Sequence, residues 1–565
     1  MNKLFFYFTV IVFLSLSGCS NNSDPTAQAS TAQSLETEPT GIDPFWHDAT
    51  VYFMLLDRFN NGNPSNDKAY GRYKESAYLR GLHGGDLQGV INKIDEGYFS
   101  KLGVDAIWFT PVVEQIHDQD EGWGATYAYH GYWPKDWTAV DKAFGTEEEL
   151  NLLIQRAREK GIKVLLDVII NHTGPVTKTD TKWPDGWVRM TPECTWDSFA
   201  GNVSCGLNSN LPDIKTESDE DTPLPKFLLD KWQEEGRLSQ ELAELDAFFQ
   251  RTQLPRAPKN YIVKWLTDWV KEYGVDGFRV DTAKHVEPEI WSVLKQEAQY
   301  SLELWRANNP EQVTHDMPFF MVGEVMHFGV NGFKDTAKGT RNYDFGDKQV
   351  DFYNYGMDSL INMGFVEHAH MSYEELFSLY DRELQAGPLK GAGILNYVVS
   401  HDDPEPYDPD RAQPFKTANK LMLSPGAAQI YYGDEVSRPI DKIDTSDAKL
   451  RLPMDWASLE STETQQILSH WQKLGQFRQQ HQALGSGRHQ MLLAQPYTFA
   501  RVLDDQRKVV VALEADPGKK TIRLSEVWPD GTKLLDHYSN QQTTVQNGQV
   551  SITSEYGTVL LAPQR

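Results

Sequence analysis

From Val51 onward, short apolar runs that end in polar residues alternate with stretches whose apolar positions recur at helical spacing. The runs are Val51 to Leu56, Asp105 to Thr110, Lys163 to Asn171, Val275 to Asp281, Phe319 to Glu324, Met357 to Phe365, Gly393 to Ser400 and Ala428 to Gly433. Ahead of the fourth, Ile262, Trp265, Leu266, Trp269, Val270 and Tyr273 paint one helical face until Gly274 ends it. Leu150, Leu153, Ile154 and Ala157 do the same before Gly161. Strand and helix repeated in this way predict an α/β fold, a (β/α)8 TIM barrel, with reactive groups gathered where the strands end.

Two interruptions divide the chain. Residues 174–258, rich in Pro, Asp, Trp and Thr, are too long for a plain loop and predict an inserted subdomain after strand 3. Beyond about Gln480 the texture turns to short β-rich runs, Lys508 to Leu513, Val550 to Thr553 and Thr558 to Leu561, separated by Asp516-Pro517-Gly518 and Pro529-Asp530-Gly531. The expected layout is barrel over 41–173 and 259–479, subdomain over 174–258, and an antiparallel β-sandwich over 480–565.

The N-terminus carries an address. Lys3 precedes the apolar run Leu4 to Leu16, too short to span a bilayer and suited to a signal peptide over 1–18. Leu16-Ser17-Gly18-Cys19 resembles the bacterial lipobox, which implies lipidation at Cys19, with Ser20 favouring the outer membrane. Residues 19–40, poor in aromatics, read as a flexible tether. The body is expected in the cell envelope, held to a membrane by its lipid.

Charge narrows the partners. Lys plus Arg number 54 and Asp plus Glu 80, a net charge of −26, so a phosphate backbone would meet repulsion and nucleic acid is not an expected partner. Of three cysteines, Cys194 and Cys205 remain once Cys19 is set aside. They either close a short loop, worth about 3 kcal/mol in an oxidising compartment, or stay as thiols. No Cys-x-x-Cys spacing points to zinc.

Polar and charged residues recur at the ends of the runs: Asp167, Asn171 and His172 on the third, Arg279 and Asp281 on the fourth, Glu324 on the fifth, and His401, Asp402 and Asp403 after the seventh. Carboxylates, an arginine and two histidines projected into one mouth would be costly unless paired or used.

Asp167-Val-Ile-Ile-Asn171-His172, Gly277-Phe-Arg279-Val-Asp281-Thr-Ala-Lys284-His285, Val322-Gly-Glu324 and Ser400-His401-Asp402 resemble the ordered signature regions of the α-amylase family of glycoside hydrolases. The likeness spans about Pro44 to Arg565 and is strongest to bacterial periplasmic members, through Leu211 to Ser218 and Asp281 to Glu287. It implies a retaining, endo-acting hydrolase of α-1,4-glucosidic bonds in starch, glycogen or maltodextrins. Asp281 is then the nucleophile, Glu324 the acid and base, and Asp402 a third carboxylate that binds sugar hydroxyls. Arg279, two residues before Asp281, shares its face by the strand period of two and is expected to keep it ionised. Glu324 must hold its proton until substrate arrives, so burial and nearby negative charge should raise its pKa. His172, His401 and Tyr132 are expected around the cleaved sugar and Lys284 on the leaving side. Thr282 and Leu211-Pro212-Asp213 resemble enzymes of α-1,4 bonds.

The resemblance also implies calcium. Asn171, Asp213 and the carbonyl of His285 form one expected site, tying the subdomain to the barrel. A second candidate, resembling a loop of cyclodextrin-forming relatives, is Asn61, Asn63, Asn66, Asp67, Gly84 and Asp86, where a metal-free turn is the alternative. Two rivals to the hydrolase stand beside it. One is a transglycosylase or cyclodextrin-degrading relative, and the other a non-catalytic glucan-binding lipoprotein, which predicts loss of a key carboxylate.

Overall fold

The computed structural model describes residues 42–564 apart from 73–74, 121, 123, 334–340 and 404. The expected signal segment, tether and Cys19 lie outside the described residues. Among the described residues no helix is long and apolar enough to cross a membrane.

Eight parallel strands close into a barrel in chain order: β1 (Thr50–Met54), β2 (Ala106–Phe109), β3 (Lys163–Val168), β4 (Gly277–Val280), β5 (Phe320–Gly323), β6 (Ser359–Asn362), β7 (Gly393–Asn396) and β8 (Ala427–Tyr431), with β8 against β1. Every residue in these strands is buried, which is why they read as continuous apolar runs rather than alternating ones. The ladders stop short of the polar ends of the runs. Asp281 follows the last residue of β4 and Glu324 the last of β5, so both leave the barrel at its C-terminal mouth. At the opposite end, Trp46 of the helix Pro44–Asp48 stacks on Phe320 at 3.9 Å and closes the floor.

The helices follow the sequence signals. Glu147–Glu159 opens on a capping box between Thr146 and Glu149, and Pro258–Tyr273 ends at Gly274 with φ 68°, a left-handed cap that glycine adopts without strain.

Between β3 and that second helix, the insertion pairs Val188–Arg189 with Asp213–Ile214 and adds helices Lys226–Glu234 and Leu238–Thr252. A disulfide joins Cys194 and Cys205. Trp183, Trp187 and Trp232 of the insertion pack around Trp265 of the barrel helix, Trp187 lying nearly parallel to it at 5.9 Å. Truncating one such buried ring costs about 3–5 kcal/mol, so the insertion is fixed on the mouth.

The C-terminal region has strands β9 (Arg488–Leu493), β10 (Tyr497–Val502), β11 (Lys508–Leu513), β12 (Gly518–Arg523), β13 (Lys533–Asp536), β14 (Gln541–Thr544), β15 (Gln549–Ser554) and β16 (Val559–Pro563). They form an antiparallel sheet in the order β9-β10-β11-β16-β13-β14 and a separate two-stranded antiparallel sheet of β12 and β15, around a core that includes Val510, Ile522, Val550 and Leu561.

Candidate active site

The mouth is organised around one guanidinium. Arg279, on β4 and 1% exposed, places Nη1 2.9 Å from Asp167 Oδ1 and 2.7 Å from Asp281 Oδ1, and Nη2 2.9 Å from Glu324 Oε2. Asp167, on β3, is held from its other oxygen by Trp108 Nε1 at 2.9 Å and the Tyr132 hydroxyl at 2.8 Å. Thr282 adds its backbone N–H to Glu324 Oε2 at 2.9 Å from a left-handed conformation, φ 46°. A β-branched residue held there is strained, and the strain fixes the chain between Asp281 and Glu324.

Three buried carboxyls share this single cation, which leaves a net deficit of positive charge if all are ionised. Burial pushes Glu324 up; Arg279 opposes it, while Asp281 and Asp402 push the same way. Burial also raises Asp281, with Arg279 the main opposing influence. This qualifies the expectation that the arginine keeps Asp281 ionised: the cation limits the rise but does not cancel it, because Asp167 and Glu324 draw on it too. Asp167 itself is pushed by burial to about 7.

Across the mouth the balance is reversed. Asp402 lies 2.9 Å from His401 Nε2 and 2.5 Å from Arg451 Nη2, and its side chain is 46% exposed. Burial works to raise it, but His401, Arg451 and Arg279 together hold it well below the usual carboxylate range. Its charge reaches both Asp281 and Glu324, so the three predicted acids converge. The Tyr132 ring stacks on His401, centroids 5.2 Å apart. His172 is buried and bonded through Nε2 to the Tyr132 carbonyl at 3.1 Å, and burial lowers it to about 4. It is therefore neutral near pH 7, able to donate from one nitrogen only. Lys284 is buried, with Nζ on the Tyr343 hydroxyl at 3.1 Å.

Two participants carried no sequence signal of their role. Asp167 was visible as a strand-end acid but not as the anchor of Arg279. Arg451, which also pairs with Asp447 and donates to the His401 carbonyl at 3.0 Å, lies outside every signature run. Only its position shortly after the last barrel strand could have pointed to it.

Of the first expected calcium set, Asn171 and Asp213 lie on neighbouring backbone, while His285 is fixed through its ring rather than its carbonyl. Asn171 and Asp213 are buried, Ile214 N donates to the Asn171 carbonyl, and His285 Nδ1 meets the carbonyl of Asn202 at 2.9 Å. Arg189 Nε lies 2.8 Å from Asp213 Oδ2. Asp213 Oδ1 and Asn202 Oδ1 are buried without a hydrogen-bond donor, and burial drives Asp213 to about 8 against the pull of Arg189. Unmatched hard oxygens of this kind fit a divalent cation. The second set is tied together by its own hydrogen bonds. Asp86 caps the helix Leu87–Asp95, its oxygens taken by the N–H groups of Gly62, Asn63 and Gly89, while Asn61 Nδ2 donates to Asp67 at 2.9 Å. Gly84 sits tightly against Asn61 and Asp67, where a Cβ would clash. Asn66 Oδ1 is the one buried oxygen of this set left without a donor.

A parallel barrel whose mouth presents two buried acids on one arginine, with a third, ionised acid opposite, has the equipment of a glycoside hydrolase. The family model described as alpha amylase, catalytic domain, matches residues 53–487. The chain is 35% identical over 551 residues to the periplasmic alpha-amylase of Escherichia coli (strain K12), covering 86% of this chain and 75% of that protein. It is 30% identical over 266 residues to a cyclomaltodextrin glucanotransferase of Bacillus sp. (strain 6.6.3), covering 47% of this chain and 33% of that one. The fold matches a crystal structure of an Anoxybacillus alpha-amylase with a TM-score of 0.64 at 23% identity, over 92% of this chain and 99% of that one. The chain belongs to the α-amylase family of glycoside hydrolases.

Proposed function

We propose that the protein cleaves α-1,4-glucosidic bonds of starch, glycogen or maltodextrins internally and with retention of configuration. The observation that carries this reading is the bridging of Asp281 and Glu324 by neighbouring nitrogens of one guanidinium. That arrangement limits their separation and suits the short carboxyl spacing, about 5–5.5 Å, used with a covalent intermediate. Asp281 attacks the anomeric carbon while Glu324 gives its proton to the departing oxygen. Glu324, now a carboxylate, then takes a proton from water, which displaces Asp281 and releases the sugar. Asp402, kept ionised, binds hydroxyls of the sugar at the cleavage point and favours its distorted ring. His401 donates to the same sugar, Tyr132 offers its ring face, and His172, its one N–H given to the Tyr132 carbonyl, holds Tyr132 in place. Lys284 contacts the leaving chain. Calcium held by Asn171, Asp213 and the His285 carbonyl would fasten the insertion to the barrel.

A transfer reaction to a second sugar uses the same intermediate, and the glucanotransferase relative favours keeping it as the second reading. The periplasmic relative supports an envelope location, with Cys19 as the anchoring position. The test is a product time course from maltoheptaose. Short maltodextrins whose reducing ends first appear as the α-anomer, released by the native protein and not by Glu324→Gln, support the reading. β-Anomers, or no release, reject it.

A further inference from the structure

Arg451 holds Asp402, yet no regular element holds Arg451. It follows the short turn Asp447–Leu450 with φ −111° and ψ 30°, and residues 451–455 belong to no helix or strand. Loop backbone of this kind is ordinarily mobile. The Arg451 guanidinium also has two carboxylates to choose between, Asp402 in the mouth and Asp447 on the turn itself. A small rotation of the loop would hand the cation to Asp447, so the aim of Arg451 has to be set from outside.

The support is a second buried arginine. Arg438 is 2% exposed, donating Nη2 to the Leu450 carbonyl at 3.1 Å and Nη1 to the Leu452 carbonyl at 2.9 Å. Those two residues flank Arg451. Each carbonyl takes one more donor: the Tyr431 hydroxyl reaches Leu450 at 3.0 Å and the Tyr432 hydroxyl reaches Leu452 at 2.6 Å. A carbonyl oxygen has two lone pairs, so both acceptors are filled. Bonds from a charged, planar fork are the stronger and more directional kind.

Arg438 is itself seated by the run Tyr431-Tyr432-Gly433-Asp434, where β8 ends. Its Nε donates to the Tyr432 carbonyl at 3.2 Å, and its guanidinium carbon lies 4.3 Å from the centre of the Tyr432 ring. Gly433, at φ 92°, packs so closely on the Arg438 side chain that a Cβ would clash with it. Asp434 pairs with Arg411, whose Nε donates to the Arg438 carbonyl at 2.9 Å. Among the described residues the Arg438 guanidinium forms no ion pair, and its hydrogen bonds all go to backbone carbonyls. A buried cation spent in this way serves the placement of backbone.

We propose that Arg438 is a positioning residue of the reaction: with Tyr431 and Tyr432 it clamps the backbone on both sides of Arg451, and so keeps that guanidinium on Asp402 instead of leaving it to Asp447. Asp402 then meets the sugar at the cleavage point as a fixed charge in a fixed place, and the loop is ordered before substrate arrives. Arg438 touches no reacting atom and acts through Arg451. This rests on the glycosidase reading above.

Arg438→Lys keeps the charge but loses the fork that spans two carbonyls. It is expected to lower kcat/KM on maltoheptaose about tenfold at acidic pH, mainly in kcat, and to cost less as pH rises. With Arg451 adrift the Asp402 carboxyl rises, so it is protonated at low pH and ionises again higher up. The other groups that face Asp402 stay in place: His401 and Arg279 hold it down, Asp281, Glu324 and Asp403 push it up, and His130, Tyr132 and Tyr397 lie beside them. Tyr432→Phe, which takes one donor from Leu452 and keeps the ring, should move the profile the same way by about twofold to threefold, and it carries the comparison alone if Arg438→Lys does not fold. In an Arg451→Gln background each substitution should cost less than about twofold, because the side chain it serves is gone. General loss of folding would instead scale kcat/KM by one factor at every pH and in both backgrounds. Equal losses in the two backgrounds, a loss independent of pH, or no loss in either variant would overturn the clamp and leave the hydrolase standing. Native protein that does not cleave maltoheptaose would overturn both.

Discussion

The two walls of the mouth use the same kinds of side chain to opposite ends. On one, Asp167, Asp281 and Glu324 divide a single buried arginine, and all three carboxyls are pushed up. On the other, Asp402 has His401 and Arg451 to itself, apart from the claim of Asp447 on the arginine, stays partly in water, and is held down. The ratio of cations to carboxylates and the access of solvent set which wall stores a proton and which keeps a fixed negative charge.

The strongest break in this contrast is Glu324→Gln, which removes the stored proton. It should lower kcat on maltoheptaose by about 10²–10⁴-fold, as loss of a general acid does, with folding unchanged by circular dichroism. Next, Arg279→Met takes the shared cation away and leaves three buried carboxyls uncompensated. Breaking a buried ion pair from one side costs about 3–5 kcal/mol, so urea unfolding should shift by that amount, most strongly at neutral pH where the acids must ionise.

The pH profile sharpens the same point. The proposed mechanism requires Asp281 ionised and Glu324 protonated. Both carboxyls lie above their ordinary values, so the rising acid limb and the falling alkaline limb of kcat/KM should both sit above those of free carboxyls. Arg451→Gln, acting on the other wall, lets Asp402 rise and should cost about tenfold in kcat/KM at acidic pH, less as pH increases.

The smallest effect lies outside both walls. If the proposed cation sits at Asp213, chelation should lower the melting temperature by about 2–5 °C, read by scanning calorimetry. Adding calcium back should restore it, with the acid and alkaline limbs unmoved.

The sequence made most of the first wall legible. Buried parallel strands leave unbroken apolar runs, and Asp281 and Glu324 come directly after them, so strand end and chemistry coincide. The second wall was legible in His401 and Asp402 but not in Arg451, which reaches the acid from a short turn, Asp447–Leu450, and the residue after it. No periodicity marks such a contact. The same holds for Asp167, whose role depends on what Arg279 does in three dimensions. In the Asn61 to Asp86 loop the helix-capping role of Asp86 is likewise set by three-dimensional contacts and carries no periodic mark.

The central claim, that Asp281 becomes bonded to the sugar while Glu324 manages the proton, is most directly tested by trapping. Glu324→Gln incubated with α-maltotriosyl fluoride, whose leaving group needs little acid assistance, should gain the mass of one maltotriosyl unit, mapped by peptide mass spectrometry to Asp281. Turnover of the fluoride without any adduct, direct inversion at the anomeric carbon, or an adduct on another carboxylate would contradict it.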